Sequence, residues 1–198
     1  MMASSAAPTR NVNDFGVHFT GATVGIVGLG NIGLKIAERA HFGFDCRILY
    51  HNRRQRTDVD HVKAVYFDKL NEMLPECDFI CVVANLTDQT RNMIGDEQFK
   101  LMKKEATFCN VSRGGTVDQN ALLSCLRRDG LHAVAVDVTE PEPLPRGHPL
   151  VTGAFERLIV TPHWGTATES TVLAMTQAAL DNIWHAIHDE TMIAEVSV

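Results

Sequence analysis

Thr23-Val24-Gly25-Ile26-Val27-Gly28-Leu29-Gly30-Asn31-Ile32-Gly33 decides how this chain folds. Thr23 to Val27 is a short β-branched run, suited to a strand buried on both faces. Gly28, Gly30 and Gly33 follow at the spacing of a glycine turn that opens a helix. That helix places Ile32, Ile36, Ala37 and Ala40 on one side. Each glycine has its own task there. Gly28 permits the tight turn, Gly30 lets a pyrophosphate reach the backbone, and Gly33 lets helix and strand pack closely. The helix N-terminus, at Asn31 and Ile32, offers N–H groups and a partial positive charge to phosphate. The stretch predicts a dinucleotide site.

Outward from it, strand and helix patterns alternate. Strands are expected at Cys46 to Tyr50, Ala64 to Phe67, Phe79 to Val83, Thr107 to Val111, Ala133 to Val136 and Leu158 to Val160. Helices are expected from Asp68 to Leu74, capped by Asp68 and stopped by Pro75; from Gly95-Asp96 through Met102; and from Asp118, as cap, through Arg128 to the stop at Gly130. This alternation predicts an α/β fold, a doubly wound, mostly parallel sheet of Rossmann type with helices on both faces. Glu140-Pro141-Glu142-Pro143-Leu144-Pro145 reads as a stiff, extended connection. Thr168 to Ile187 reads as one long helix, with Val172, Met175, Ala179, Ile183 and Trp184 on a broad apolar face. The expected organisation is a tail over 1–21, a dinucleotide-binding domain over 22–165, and a C-terminal helix over 166–198.

Composition narrows the function class. The 198 residues are 45% apolar and 21% charged, as in soluble globular proteins. A net charge of −6 argues against nucleic acid or an anionic membrane as partner. No apolar run approaches the ~20 residues of a membrane span. The five cysteines are odd in number and lack metal spacing, and read as reduced thiols of a cytoplasmic protein. The nine histidines show no metal pairing either.

An acidic residue about 20 positions past the glycine motif usually holds the ribose hydroxyls of NAD. Here the second strand runs into Tyr50-His51-Asn52-Arg53-Arg54-Gln55-Arg56, with three arginines and no acid. Guanidinium groups bind a 2′-phosphate that a carboxylate would repel. At ~1.5–3 kcal/mol per charge-assisted bond, two such bonds favour NADP over NAD by about two to four orders of magnitude.

Three further strands run into polar residues at the edge where doubly wound sheets bind ligands. They are followed by Asn110-Val111-Ser112-Arg113-Gly114-Gly115, by Asp137-Val138-Thr139-Glu140-Pro141-Glu142, and by Thr161-Pro162-His163-Trp164-Gly165. With Leu86-Thr87, Thr90 and Met93-Ile94, these motifs resemble, in order, the D-isomer-specific 2-hydroxyacid dehydrogenases, most closely the glyoxylate/hydroxypyruvate reductase branch. The resemblance covers about Gly16 to Glu190.

The resemblance implies that a small 2-oxo acid is reduced to its D-2-hydroxy acid by hydride transfer. Arg113 would bind the substrate's carboxylate and carbonyl oxygen. His163 would be the general acid. Glu142, five residues past Asp137, would orient His163 and stabilise its imidazolium. Asp137 would hold the nicotinamide carboxamide with Gly165 beside it, and Asn85 and Val111 would contact the cofactor through main chain. Asn85, Trp164 and Thr166 stand where the family commonly has other residues, which would reshape the pocket. The resemblance also implies a second, substrate-binding domain, most of which would precede the glycine motif. This chain has about twenty residues there, so the C-terminal helix is expected to be a remnant of that domain. The apolar face of that helix, left without its partner, suggests self-association as a homodimer. A chain so shortened is expected to keep cofactor binding and to lose much of its activity. The rival expectation is a dinucleotide-binding or interaction module, the role of the family's corepressor members.

Overall fold

The computed structural model describes residues 16–188 and 190–193. The expected tail up to residue 15 and the segment 194–198 lie outside the described residues. The chain divides into two compact units, one running to Val160 and one from Thr161 onward.

The β-branched and aromatic runs of the first unit form seven strands: β1 (Thr23–Val27), β2 (Arg47–His51), β3 (Val65–Phe67), β4 (Phe79–Val82), β5 (Thr107–Asn110), β6 (Ala133–Val136) and β7 (Leu158–Val160). All pair in parallel, in the order β3-β2-β1-β4-β5-β6-β7. The order reverses between β1 and β4, and a crevice at such a switch point, outside the strands' carboxyl ends, is where doubly wound sheets bind their ligands. The doubly wound, Rossmann-type expectation is met. β1 is tied to β4 at its start, where the Asp78 carboxylate accepts from Thr23 N–H at 2.8 Å and from Lys103 Nζ at 2.7 Å.

Two apolar layers hold the sheet. On one face Ile26, Ile48 and Tyr50 pack with Ala37 and Ala40 of α1 (Asn31–Phe44). On the other, Leu49, Ile80, Val82, Phe108, Val134 and Val136 pack with Met73 of α2 (Leu70–Met73), Phe99 of α3 (Asp96–Leu101) and Leu122 of α4 (Gln119–Arg127). Burying each of the larger side chains contributes ~1.5–3 kcal/mol. Asp118 caps α4 as expected, its Oδ1 accepting from Asn120 N–H at 2.9 Å.

Three local expectations are corrected. Ile32 does not join the buried face of α1. It is 66% exposed, and the small residues Gly33, Ala37 and Ala40 make that face, because the helix lies too close to the sheet for larger ones. Asp68 does not cap α2: Lys69 holds that position, and the Asp68 carboxylate accepts from Tyr66 Oη at 3.2 Å instead. Pro75 does not simply stop a helix but sits in a 3-10 turn over Leu74–Glu76, where proline's missing N–H costs little. A short α5 (Pro149–Thr152) follows the proline-rich connection, with His148 Nδ1 accepting from Leu150 N–H at 3.2 Å.

In the second unit, Thr168 caps α6 (Glu169–Ile187), accepting from Thr171 N–H at 3.2 Å. No residue of α6 is buried. Among the described residues, no helix is long and apolar enough to cross a membrane.

Candidate active site at the carboxyl edge of the sheet

The glycine turn is fixed by close approach. Gly28 has φ +100°, and a Cβ there would lie 2.6 Å from Ala84 N, just past the end of β4. A Cβ on Gly33 would lie 2.5 Å from the Gly28 carbonyl. Gly30 differs, for a Cβ there would meet nothing within 4 Å. Open space therefore lies over Gly30, at the N-terminus of a 14-residue helix that no side chain caps. Asn31 and Ile32, in its first turn, are exposed. Uncapped N–H groups facing a cradle fit a diphosphate through hydrogen bonds and the helix dipole.

The loop after β2 braces this turn. Asn52 Oδ1 accepts from Leu29 N–H at 2.6 Å, and Asn52 Nδ2 donates to the Leu29 carbonyl at 3.3 Å. Arg56 Nη1 donates to the same carbonyl at 3.0 Å, while its Nε donates to Asp58 at 2.7 Å and its Nη2 also pairs with Asp58. The Arg56 guanidinium holds the Asp58 carboxyl below the ordinary carboxylate range. Arg56 is thus committed to the loop's shape. Arg53 and Arg54 are exposed, with no hydrogen bond or ion pair to the described residues. Of the three arginines, Arg56 is the one engaged with the described residues.

Asn85 follows β4, exposed, and its carbonyl accepts from Thr90 Oγ1 at 2.6 Å. That bond and the Thr87–Thr90 turn fix the loop's backbone. Val111, after β5, is 38% exposed and donates its N–H to the Val82 carbonyl at 3.2 Å.

Arg113 comes next, and three buried polar residues set its place. Asn110, Ser112 and Thr116 are sealed from solvent. Ser112 Oγ donates to Asn110 Oδ1 at 2.9 Å. Asn110 Nδ2 and Thr116 Oγ1 both donate to the Arg113 carbonyl, at 3.1 and 2.7 Å. The Arg113 side chain is exposed, with Nη1 donating to the Ser112 carbonyl at 2.7 Å. Sequence reasoning singled out Arg113 and missed its support. The signal was the polar spacing of Asn110, Ser112 and Thr116 where an apolar strand ends.

Gly114 and Gly115 let the segment after β6 approach. A Cβ on Gly114 would lie 2.1 Å from the Thr139 carbonyl, and one on Gly115 2.6 Å from Glu140 Oε2. Glu140 is itself pinned. Its carboxylate takes Arg91 Nη1 at 3.1 Å, its N–H donates to Gln119 Oε1 at 3.2 Å, and its carbonyl accepts from Gln119 Nε2. Of the two candidate acids on this segment, Glu140 is a structural anchor, and Glu142 lies beyond it, exposed. Asp137, directly after β6, donates its N–H to the Asn110 carbonyl at 3.0 Å.

Gly28, Asn52, Asn85, Arg113 and Asp137 therefore follow the carboxyl ends of β1, β2, β4, β5 and β6 on one edge of the first unit. His163 and Gly165 belong to the second unit. Both are exposed, and His163 has φ +57°, a left-handed conformation uncommon for a residue with a side chain. Among the described residues, no group of three or more His, Cys, Asp or Glu could hold a metal ion.

Comparison with known proteins agrees with this geometry. Residues 4–165 match the model of the D-isomer specific 2-hydroxyacid dehydrogenase NAD binding domain. A glyoxylate/hydroxypyruvate reductase B of Cronobacter sakazakii is 43% identical over 176 residues, 89% of this chain and 54% of that one. Among solved structures, a glyoxylate reductase from Paecilomyes thermophila superimposes with a TM-score of 0.81 at 31% identity, over 90% of this chain and 53% of that one. The TT0316 protein of Thermus thermophilus gives 0.82 at 34% identity, over 92% and 56%. The chain spans about half the length of the curated relatives it matches.

Proposed function

We propose, for a chain that belongs to the D-isomer specific 2-hydroxyacid dehydrogenases, that it serves the NADP(H)-dependent reduction of a small 2-oxo acid of glyoxylate or hydroxypyruvate type to the D-2-hydroxy acid. The observation that carries the cofactor choice is the loop after β2: two exposed arginines, no acid among 50–56, and an Asn52 clamp on the glycine turn. NADPH, when bound, supplies the hydride.

The chain's own residues divide the remaining work. The cradle at Gly30, Asn31 and Ile32 receives the diphosphate, and Arg53 and Arg54 the 2′-phosphate, with Arg56 holding the loop. Asn85, Val111 and Asp137 contact the cofactor along the sheet edge, and Gly165 is a further cofactor contact. Arg113 binds the substrate carboxylate and fixes its carbonyl, where a guanidinium opposes the negative charge that reduction builds on oxygen. His163 gives that oxygen its proton, and Glu142 orients the imidazole. The left-handed backbone at His163 supports this reading, because such conformations cluster at functional sites. The free cysteines fit a reducing, cytoplasmic setting. A homodimer belongs to the same reading, with the exposed apolar residues of α6, among them Leu180 and Ile183, as a surface for association.

The test is NADPH oxidation with glyoxylate or hydroxypyruvate, alongside His163→Ala and Arg113→Ala. The expected result is turnover that either variant cuts by about two orders of magnitude or more while NADPH still binds. Unchanged turnover in His163→Ala removes it from the acid role. NADPH binding with no turnover supports the second reading, a dinucleotide-binding module.

A further inference from the structure

β4 and β5 pair in parallel with Cys81 directly opposite Cys109. Neighbouring strands lie about 4.8 Å apart, inside the 4.4–6.8 Å over which Cα atoms are bridged by a disulfide. In-register residues of parallel strands point to the same face, so the Cys81 and Cys109 side chains are neighbours there. The row they share begins at Ile26, fully buried under α1, and passes through Ala135 to Ile159, which is 64% exposed. The two thiols stand along that gradient and are only half-buried, whereas Cys46, Cys77 and Cys125 are buried.

We propose that Cys81 and Cys109 form a redox-active dithiol that a peroxide converts reversibly into a cross-strand disulfide. Cys109 is the attacking sulfur. The Cys81 S–H donated to it favours its thiolate, against burial and the nearby Asp137 charge, and the same bond holds the proton on Cys81. The Cys109 thiolate attacks one peroxide oxygen. The S–O bond forms, the O–O bond breaks, and the departing hydroxide takes up from solvent the proton that Cys109 released on ionising, giving water and a sulfenic acid. The Cys81 sulfur then attacks the Cys109 sulfur. The S–S bond forms, the S–O bond breaks, and hydroxide leaves with the Cys81 proton as a second water. Two thiols and one peroxide give one disulfide and two waters, with sulfur oxidised and peroxide reduced. A dithiol reductant reverses the step by exchange. Closing the bond draws the two side chains nearer than in-register strands hold them, which leaves it easily reduced.

Residues 70–91 and 105–113 are tryptic segments that carry these cysteines, the first also containing Cys77. The experiment treats the 198-residue protein with hydrogen peroxide, alkylates the remaining thiols in denaturant, and maps peptides by fragment mass. The expected result is a linked pair of segments joined through Cys81 and Cys109, with Cys77 alkylated and dithiothreitol restoring both thiols. Cys77→Ala is expected to leave the link, and Cys81→Ser or Cys109→Ser to abolish it. Alkylation of both cysteines after peroxide, separate over-oxidation of each, or a link through Cys77 would overturn the proposal. The wild-type peptide map decides the matter even if a serine variant fails to fold.

Discussion

Asn52 closes the glycine turn through Leu29, accepting its N–H at 2.6 Å and donating to its carbonyl at 3.3 Å. The residue that follows β2 thereby shapes the loop that follows β1. Each bond is worth ~1 kcal/mol. Asn52→Ala is expected to weaken NADPH binding about tenfold while the melting temperature moves little, since Arg56 still holds the Leu29 carbonyl. Fluorescence titration of NADPH checks this, and unchanged affinity would show that the clamp is incidental.

The three glycines of the turn separate by what surrounds them. Gly28→Ala puts a methyl group 2.6 Å from the Ala84 backbone at a φ of +100°. It is expected to destabilise the fold by more than ~1 kcal/mol. Gly30→Ala enters open space, so it should leave thermal unfolding nearly intact and still weaken the cofactor, because the methyl group fills the cradle a diphosphate would occupy. Urea unfolding and NADPH titration on both variants check the contrast. Equal effects on stability would contradict it.

Support for Arg113 comes from beneath. Thr116 is fully buried and its hydroxyl donates to the Arg113 carbonyl at 2.7 Å. Thr116→Val removes that donor at nearly constant volume and strips a partner from Ser112 Oγ, which lies 3.2 Å away. A cost of ~1–3 kcal/mol in unfolding free energy is expected. In a turnover assay, KM for the 2-oxo acid should rise with NADPH affinity unchanged. A variant as stable as the parent would remove the buried network from the account.

Acid should loosen the start of the sheet. Burial raises the Asp78 pKa, but the Lys103 ammonium and the Thr23 N–H outweigh it and hold the carboxyl below its ordinary 3.8. A depressed folded-state pKa contributes stability that is present above the unfolded value and lost as pH falls through the folded one. Asp78→Asn should cost ~1–2 kcal/mol at pH 7, at the low end for charge-assisted bonds because the pair is partly exposed. That gap should close as pH falls below the ordinary carboxylate range and the Asp78 carboxyl takes up its proton. Chemical denaturation of both proteins across this range is the check, and a gap independent of pH would contradict the assignment.

Much of the fold was legible because period and punctuation agreed. Thr23 to Val27, Gly28 and the cap at Asp118 each carry a local signal that the tertiary structure reinforces. What misled was equally local. Ile32 fits an apolar stripe, but a helix pressed against its strand accepts only Gly33 and alanines on that face. Asp68 is a good cap by type, yet Tyr66 takes its carboxylate. At the site, Arg113 and Asp137 could be read because strand ends carry them to one edge. The hold of Arg56 on the Leu29 carbonyl, and of Arg91 and Gln119 on Glu140, could not be read, since which like residue is anchored depends on contacts 21 to 49 positions apart.

The most direct test is the ratio of dissociation constants for NADPH and NADH on the 198-residue protein, measured at one ionic strength. The account predicts NADPH tighter by at least about tenfold, with the preference lost when Arg53 and Arg54 are both replaced by alanine. Equal affinities, or tighter binding of NADH, would contradict it.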